Sequence, residues 1–247
     1  PMYIQYWDFL KGIFTGNLGN SYYTKTPVLN EILVRFPATV ELALCSIIFA
    51  SIFGIIIGVI SAVKKNSIFD NIGMLFALIG VSMPIFWLGL LLIIIFSSTL
   101  GILPSGGRID PLMQPQGLTG LYLLDTLILC DFEAFGDALK HIILPASALG
   151  LSSMDIITRM TRSSMLETLN QDYIRTARSK GISEGKVIKK HALRNALIPI
   201  VTVIGLQLGS LLGGAVLTES VFAWPGIGSY TVNAILKSDF PVVQGVV

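Results

Sequence analysis

Long apolar runs constrain this sequence more than any other feature, because they decide the solvent in which the chain can fold. They occupy residues 38–63, 72–96, 141–160 and 197–217. Each run has roughly the 20 residues that an α-helix needs to cross the hydrocarbon core of a bilayer. Only 13% of the residues are charged, whereas soluble domains usually carry about 25%. The sequence therefore predicts an all-α, polytopic membrane protein with these runs as its spans.

The polar segments between the runs carry opposite charges, which predicts the orientation of the chain. Residues 159–194 contain nine Lys or Arg and three Asp or Glu, and basic loops of membrane proteins lie in the cytoplasm. We therefore expect a cytoplasmic loop at 161–196, with Lys64 and Lys65 on the same side. The remaining polar segments are then external, namely an interfacial segment at 1–37, an acidic loop at 97–140, and a turn at 218–240 before a last span that starts at 241–247.

The basic loop has the pattern of a helical hairpin. Asn170 can cap a first helix, Gly181 can supply the left-handed residue beyond it, and Ser183 can cap a second helix. The loop is too polar to cross a bilayer, so its apolar side chains are expected to press the hairpin against a partner. These side chains are Ile174, Ala177, Ile182, Val187 and Ile188.

Three motifs in this region carry a resemblance to a known family. The sequence reads YIRTARSKG from Tyr173 to Gly181, HALRNALIP from His191 to Pro199, and LTESVFAWPGIG from Leu217 to Gly228. The basic loop resembles the cytoplasmic "EAA" loop of the permease subunits of binding-protein-dependent ABC importers, although Arg175-Thr176-Ala177 replaces the usual Glu-Ala-Ala. That triplet and the HALR quartet resemble the dipeptide, oligopeptide and nickel branch, and dipeptide permeases most of all.

The resemblance implies a type I (MetI-like) permease bundle in the bacterial cytoplasmic (inner) membrane. The chain would then be a fragment that lacks the first and most of the last transmembrane helix, with a permease domain at 38–247. The implied partners are a second homologous permease, two ABC ATPases that bind ATP and Mg, and an extracytoplasmic substrate-binding protein. The chain itself would bind no cofactor and would catalyse no reaction.

The resemblance also implies which residues contact the ATPase. In the family the loop docks into a groove on the ATPase subunit, and Gly181 falls on its glycine position. The docking residues implied for this chain are Tyr173, Arg175, Thr176, Ala177, Gly181, His191 and Arg194. The cargo is expected to be a dipeptide or short oligopeptide, because the motifs and the stretch DALKHIILP at 137–145 resemble that branch, and nickel is the alternative.

A few residues are candidates for the translocation path or its gate. Asp155 is an acid inside an apolar run, where it can pair with Arg159 one turn later or contact a charged end of the substrate. Gln207 can line a polar passage or form a hydrogen bond across helices. The turn that resembles the external turn of the family contributes Glu219, Trp224, Pro225 and Gly226.

Small and kink-forming residues recur inside the runs. Gly54 and Gly58 in the first run, and Gly205, Gly209 and Gly213 in the fourth, repeat at four-residue spacing, which favours close helix packing over a pore-lining role. Pro84 predicts a kink in the second run, either as a packing bend or as a gating hinge.

Other classes of function have weak support in the sequence. It contains no phosphate-binding loop, nucleophile elbow or paired catalytic carboxylates, so we expect no enzyme activity. His141 and His191 have no second ligand at metal spacing. The basic loop lies between two spans, which favours contact with membrane lipid over nucleic acid. An ion-gradient-driven transporter remains the alternative of another class, and Asp155 with Pro84 is its slight support.

Overall fold

The computed structural model describes residues 2–247, without the side chains at 2, 4–6, 8, 9, 76, 79 and 81. The described residues form helices and one isolated antiparallel bridge, between Asn20 and Pro27. The α-helices are α1 Met2–Thr15, α2 Val28–Val63, α3 Ile68–Ser82, α4 Ile85–Leu92, α5 Tyr122–Ile128, α6 Phe132–Leu169, α7 Asp172–Ser179, α8 Glu184–Lys186, α9 Arg194–Gly214, α10 Val216–Val221, α11 Ile227–Leu236 and α12 Phe240–Val246. A 3₁₀ turn covers Pro111–Met113, and π-helical segments cover Ile93–Thr99 and Val187–Leu193.

Among the described residues, three helices are long and apolar enough to cross a membrane: Val28–Val63, Phe132–Leu169 and Glu184–Gly213. All three begin before the runs that hydropathy delimits, because polar residues continue the helices, and the third ends at Gly213, short of the predicted residue 217. At the start of α2, Glu31 and Arg35 form an ion pair of 2.7 Å across one turn. At the start of α6, the Asp131 carboxylate accepts a hydrogen bond from the amide of Ala134, at 3.0 Å. Helix ends therefore follow capping and ion pairs, whereas hydropathy marks only the apolar part.

The second apolar run, predicted as a span from 72 to 96 with a kink at Pro84, consists of two helices and a π-helical segment. The helix is interrupted at Pro84 and not only kinked. Helix α3 ends at Ser82, Met83 is extended, and α4 begins at Ile85. Pro84 has no amide hydrogen, and its ring clashes with the carbonyl one turn earlier. The residue before a proline also favours the extended conformation, which Met83 adopts here. Beyond α4 the chain continues as the π-helical segment Ile93–Thr99.

The chain divides into two compact units. Unit 1 contains the residues up to Leu42 together with Gly89–Pro145 and Gly214–Val247, and unit 2 contains Ala43–Leu88 and Ala146–Gly213. Unit 1 has a core of Val28, Ala234 and Val242, against which Leu18, Ile32, Tyr230, Val243 and Val246 pack. A second core in unit 1 contains Ile109, Ala134 and Ala138.

In unit 2, glycines allow α2 and α6 to approach closely. A Cβ on Gly54 would lie 2.9 Å from Cγ2 of Ile157, and one on Gly58 would lie 2.5 Å from Cβ of Thr161. This confirms the close packing predicted for the two glycines. The glycines of α9 differ, because a Cβ there would meet no described atom within 4 Å. The close packing expected at Gly205, Gly209 and Gly213 is therefore not made by the described residues.

An ion pair joins the first turn of α3, and through it the turn before that helix, to α6 within unit 2. Arg162 donates from Nε and Nη2 to the two carboxylate oxygens of Asp70, each at 2.7 Å. Asp70 is buried and also accepts a hydrogen bond from the amide of Asn66, which has a positive φ of 61°. Arg162 lies about two turns before the end of α6. The pair therefore fixes the turn to the part of α6 that leads into the basic loop.

In unit 1, Asp239 attaches the loop after α1 to the corner between α11 and α12. Its carboxylate accepts hydrogen bonds from Oγ of Ser21 at 2.5 Å and from the amide of Tyr22 at 3.0 Å. Burial opposes ionisation of Asp239, but these bonds and a further one from the amide of Tyr23 outweigh it and lower its pKa. The folded state therefore favours the charged carboxylate.

This carboxylate predicts an acid-sensitive attachment. A lowered pKa in the folded state contributes stability above the unfolded value of about 4, and that stability is lost as the pH falls through the folded value. We expect the thermal unfolding temperature in detergent to fall on acidification from pH 6 to 3, and to fall less in Asp239→Asn. The control is Glu167→Gln, at an exposed acid. Equal acid dependence in wild type and Asp239→Asn would contradict the prediction.

Candidate functional site

The basic loop forms the predicted helix, glycine elbow and second helix. Gly181 has a φ of 75° beyond α7. The amide of Ile182 donates to the carbonyl of Ala177 at 3.3 Å, and the amide of Gly181 donates to that of Arg178 at 2.9 Å. These two bonds are the Schellman pattern, which satisfies carbonyls at a helix end when the residue beyond it is left-handed. The predicted role of Gly181 in the elbow is therefore confirmed.

Of the two predicted caps, Asn170 was wrong, whereas Ser183 occupies the N-cap position predicted for it. Helix α6 extends to Leu169, so Asn170 lies at its C-terminal side, and its side-chain Nδ2 donates back to the carbonyl of Leu166 at 2.9 Å. Gln171 takes the N-cap position of α7. Ser183 does precede α8, but its side chain makes no capping hydrogen bond.

The apolar side chains of the loop face their own chain. Ile174, Ala177 and Val187 are buried in unit 2, and Ile182 and Ile188 are half-buried. The expectation that they press against a partner was therefore wrong, because α7 and the π-helical segment of the same hairpin pack against each other and these side chains are buried within the chain. The apolar set holds the hairpin in place and leaves the opposite face for contacts outside the chain.

Polar bonds tie the two arms of the hairpin together. Arg178 donates from Nη2 and Nε to the carboxylate of Glu184, at 2.7 and 3.1 Å, across the elbow. The side-chain Nδ2 of Asn195 donates to the hydroxyl of Tyr173 at 2.9 Å and to the carbonyl of His191 at 3.0 Å. The hairpin is therefore fixed both at its elbow and at its base.

The surface of the hairpin contains most of the residues that the resemblance selected for docking. The residues exposed there are Tyr173, Arg175, Thr176, Gly181 and Arg194. His191 is half-buried in the π-helical segment. Ala177 is buried, so it contributes to the packing of the hairpin and does not belong to its exposed face.

Asp155 pairs with Arg159, as predicted. Nε and Nη2 of Arg159 donate to the two carboxylate oxygens, at 2.9 and 2.5 Å. Asp155 is 2% exposed, and the pair lines a cavity of about 480 Å³ together with Ile156, Met160 and Val203. The local pair compensates the buried charge. It leaves Arg159 half exposed at the cavity.

Gln207 makes a hydrogen bond across helices, as the simpler interpretation predicted. Its carbonyl oxygen accepts from the hydroxyl of Ser153 at 3.3 Å, which joins α9 to α6 within unit 2. The side chain is half-buried.

The turn after α10 is organised around the buried carboxylate of Glu219. Its oxygens accept hydrogen bonds from Oγ1 of Thr39 at 2.6 Å and from the amide of Ser229 at 2.9 Å. Burial raises the pKa of Glu219, against the opposing effect of these bonds and of one from the amide of Gly228. Trp224 is also buried, and its indole donates to the carbonyl of Ala38 at 2.8 Å.

These contacts change the interpretation of the turn. Glu219 and Trp224 were candidates for the path, but both side chains are enclosed within unit 1 and bind its backbone. Gly226 is buried too, whereas Pro225 is exposed and lines a second cavity. Glu219, Trp224 and Gly226 therefore stabilise the turn, and their place on the translocation path stays a prediction.

A single methyl group added at Gly226 is expected to lower the stability of the fold. A Cβ there would collide with the carboxylate of Glu219, which is fully buried and bonded on both oxygens. We expect Gly226→Ala to lower the free energy of unfolding by about 1–3 kcal/mol. Thermal unfolding in detergent measures this, with Gly136→Ala as control because a Cβ at Gly136 meets nothing within 4 Å. Equal effects of the two substitutions would contradict the prediction.

Sequence reasoning missed a buried ion pair in unit 1. Arg108, 7% exposed, contacts the carboxylate of Glu41 at 2.6 Å and donates from Nη2 to the carbonyl of Gly120 at 2.6 Å. The other oxygen of Glu41 accepts from the amide of Leu123 at 2.7 Å. The available signal was Glu41, which lies close to the start of the apolar run at 38–63. An acid in such a run needs a partner.

Comparisons with known proteins identify relatives along nearly the whole chain. The family model described as "Binding-protein-dependent transport system inner membrane component" matches residues 54–247. The chain is 52% identical over 244 residues to the di/tripeptide transport system permease protein of Pseudomonas aeruginosa, covering 99% of this chain and 73% of that protein. It is 49% identical over 248 residues to the dipeptide transport system permease protein of Escherichia coli, with the same coverage of 99% and 73%. It is 43% identical over 244 residues to the glutathione transport system permease protein of Pectobacterium atrosepticum, covering 99% and 71%.

Proposed function

Because the chain belongs to the family of inner membrane components of binding-protein-dependent transport systems, we propose that it is the permease subunit of an ABC importer that carries dipeptides or short oligopeptides. It is a multi-pass protein of the bacterial inner membrane. The relatives named above are permeases for dipeptides, for di- and tripeptides, and for the tripeptide glutathione. These names support a peptide cargo for this chain over nickel.

The observation that carries the proposal is the hairpin between α6 and α9. It lies within the matched residues, presents Arg175, Thr176 and Gly181 to solvent, and is fixed by bonds at its elbow and its base. Such a rigid, exposed, basic element suits docking to another protein, and the family resemblance identifies that protein as an ATPase subunit. Two ATPases would then bind ATP and Mg, and a second permease and a binding protein would complete the importer.

The continuity of α6 supports a mechanical role for the docked hairpin. Helix α6 runs unbroken from Phe132 to Leu169, and α7 begins at Asp172, only a short turn later. A movement of the hairpin on the ATPase would therefore tilt α6, since a helix transmits displacement along its axis as a rigid element. Asp155 and Arg159 lie on this helix, so the cavity beside them would change as it tilts.

The proposed orientation of the chain in the membrane is consistent with docking of the hairpin to an ATPase. The basic loop would lie in the cytoplasm, where ATPases are available, and the turn with Pro225 would lie outside, where a binding protein delivers its cargo. Charge supports this orientation, because the basic residues cluster at 159–194 and the acidic ones at 97–140.

Uptake by the complete importer tests the function. The full-length permease, expressed with its second permease, ATPases and binding protein, should support dipeptide uptake into proteoliposomes that requires ATP and survives collapse of the proton gradient. Nickel uptake in the same vesicles serves as the comparison. Peptide uptake that persists without ATP but stops with a proton uncoupler would instead indicate an ion-gradient-driven transporter, and nickel uptake without peptide uptake would indicate the other branch.

A further inference from the structure

The hairpin carries more positive charge than its own acids neutralise. Residues 170–195 contain seven Lys or Arg and two Asp or Glu, and all of these side chains are exposed. Arg178 pairs with Glu184, and Arg175 lies 3.9 Å from Asp172. The other five bases, the basic set, form no ion pair with an acid in the described part of the chain. They are Lys180, Lys186, Lys189, Lys190 and Arg194.

These charges are unfavourable for the helix that carries four of them. That helix runs without a break over Glu184–Gly213. Lys186 and Lys190 lie four residues apart, as do Lys190 and Arg194, and like charges at this spacing repel each other. Lys186 also lies in the first turn, where the positive end of the helix dipole disfavours a base. An acidic partner from outside the chain would offset both effects.

Distance from the bilayer distinguishes two kinds of acidic partner, which are lipid headgroups and a cytoplasmic protein. Lys186 lies eleven residues before Leu197, where the apolar run begins, and this is about 16 Å along the helix axis. Headgroups extend only about 6 Å beyond the hydrocarbon core, so Lys186 lies about one Debye length outside them at physiological ionic strength. Lys180 lies at the same end of the hairpin, next to the elbow at Gly181. This end of the basic set therefore favours a protein over lipid.

We propose that the basic set docks into a groove of the ATPase subunit that is lined by Asp and Glu, and that the attraction between the two surfaces guides the ATPase to the hairpin. Complementary charge accelerates association and disfavours partners of the same charge. An ATPase with a neutral or basic groove would therefore bind this permease poorly, even if its fold were the same. The inference rests on the proposed function, because it takes the docked protein to be an ATPase.

Removal of two charges near the elbow tests the inference. Lys180→Gln combined with Lys186→Gln keeps most of the length of both side chains and leaves the docking residues implied by the resemblance unchanged. The assay is association of the purified ATPases with the full-length permease pair in nanodiscs of zwitterionic lipid, at low and at high KCl concentration. In wild type, the association rate should fall steeply as the KCl concentration rises. In the double variant, the rate at low salt should be about tenfold lower, and it should depend much less on salt.

Two controls accompany the double variant. Lys65→Gln, at an exposed base outside the hairpin but on the same predicted side of the membrane, should behave as wild type. The unfolding temperature of the double variant should not fall, because the substitution at Lys186 relieves its repulsion with Lys190. A fall would show that these lysines support the fold, and it would overturn the inference.

The outcomes separate the inference from the proposed function. An unchanged association rate in the double variant overturns the inference. So does a loss of rate that occurs only in nanodiscs of anionic lipid, because the lysines would then bind headgroups. ATPases that bind wild type equally well at low and high salt refute the acidic groove alone, whereas wild type that binds no ATPase refutes the proposed function.

Discussion

We expect Gly181→Val to reduce ATP-driven peptide uptake at least tenfold while the importer still assembles. The φ of 75° at Gly181 lies in the left-handed region, which costs an ordinary L-residue about 1–2 kcal/mol and a β-branched residue more. A Cβ at this position would meet nothing within 4 Å, so the strain comes from the backbone alone. Valine would therefore open the elbow, break the bond from Ile182 to Ala177, and displace the exposed face of the hairpin.

Two matched variants isolate the backbone as the cause. Gly181→Asn should stay close to wild type, because asparagine tolerates the left-handed region. Gly185→Val adds the same side chain to the same hairpin, also in open space but without a positive φ, and should cost much less. The measurements are uptake, ATP hydrolysis and capture of the ATPase in detergent. Normal uptake by Gly181→Val, or equal losses in Gly181→Val and Gly185→Val, would refute the elbow as a coupling element.

The second large effect concerns the ion pair of Asp70 and Arg162. We expect Asp70→Ala to lower the free energy of unfolding by roughly 3 kcal/mol, because it leaves a largely buried guanidinium without its carboxylate. It also removes the acceptor for the amide of Asn66. The turn between α2 and α3 would then separate from α6, so ATP hydrolysis should continue with less transport per ATP.

A double-mutant cycle tests this coupling. Asp70→Ala combined with Arg162→Ala should cost less than the sum of the single changes, because the second change removes the charge that the first left unpaired. Arg178→Ala is the control for thermal unfolding only, since it breaks an exposed pair with Glu184, and such pairs contribute about 0–1 kcal/mol. Thermal unfolding and the ratio of uptake to hydrolysis are the measurements. Additive costs, or an unchanged ratio in Asp70→Ala, would count against the proposed role.

Local patterns predicted the features whose causes are local. The all-α class follows from the long apolar runs, the left-handed elbow follows from a glycine between helical segments, and the pair of Asp155 with Arg159 follows from one-turn spacing. In each case the interacting groups lie within a few residues of each other, so the sequence contains all of the information needed.

Local sequence patterns did not predict contacts between segments that are distant in the sequence. Glu219 accepts its bond from Thr39, and Arg108 pairs with Glu41, yet no periodicity relates either pair. The apolar face of the hairpin was correctly identified, but hydropathy does not distinguish a surface covered by the same chain from one covered by a partner. Asn170 was assigned to the wrong helix end, because hydropathy could not reveal that α6 extends beyond its apolar part.

The tight contact between Gly226 and Glu219 has an evolutionary consequence. The carboxylate fills the space that a side chain at Gly226 would need, so these two positions are constrained as one unit. A lineage that keeps the acid must keep Gly226. A lineage that loses the acid gains room for alanine at the position of Gly226, but it must then find new acceptors for Thr39 and for the amide of Ser229. Exchange at these sites should therefore proceed by correlated steps.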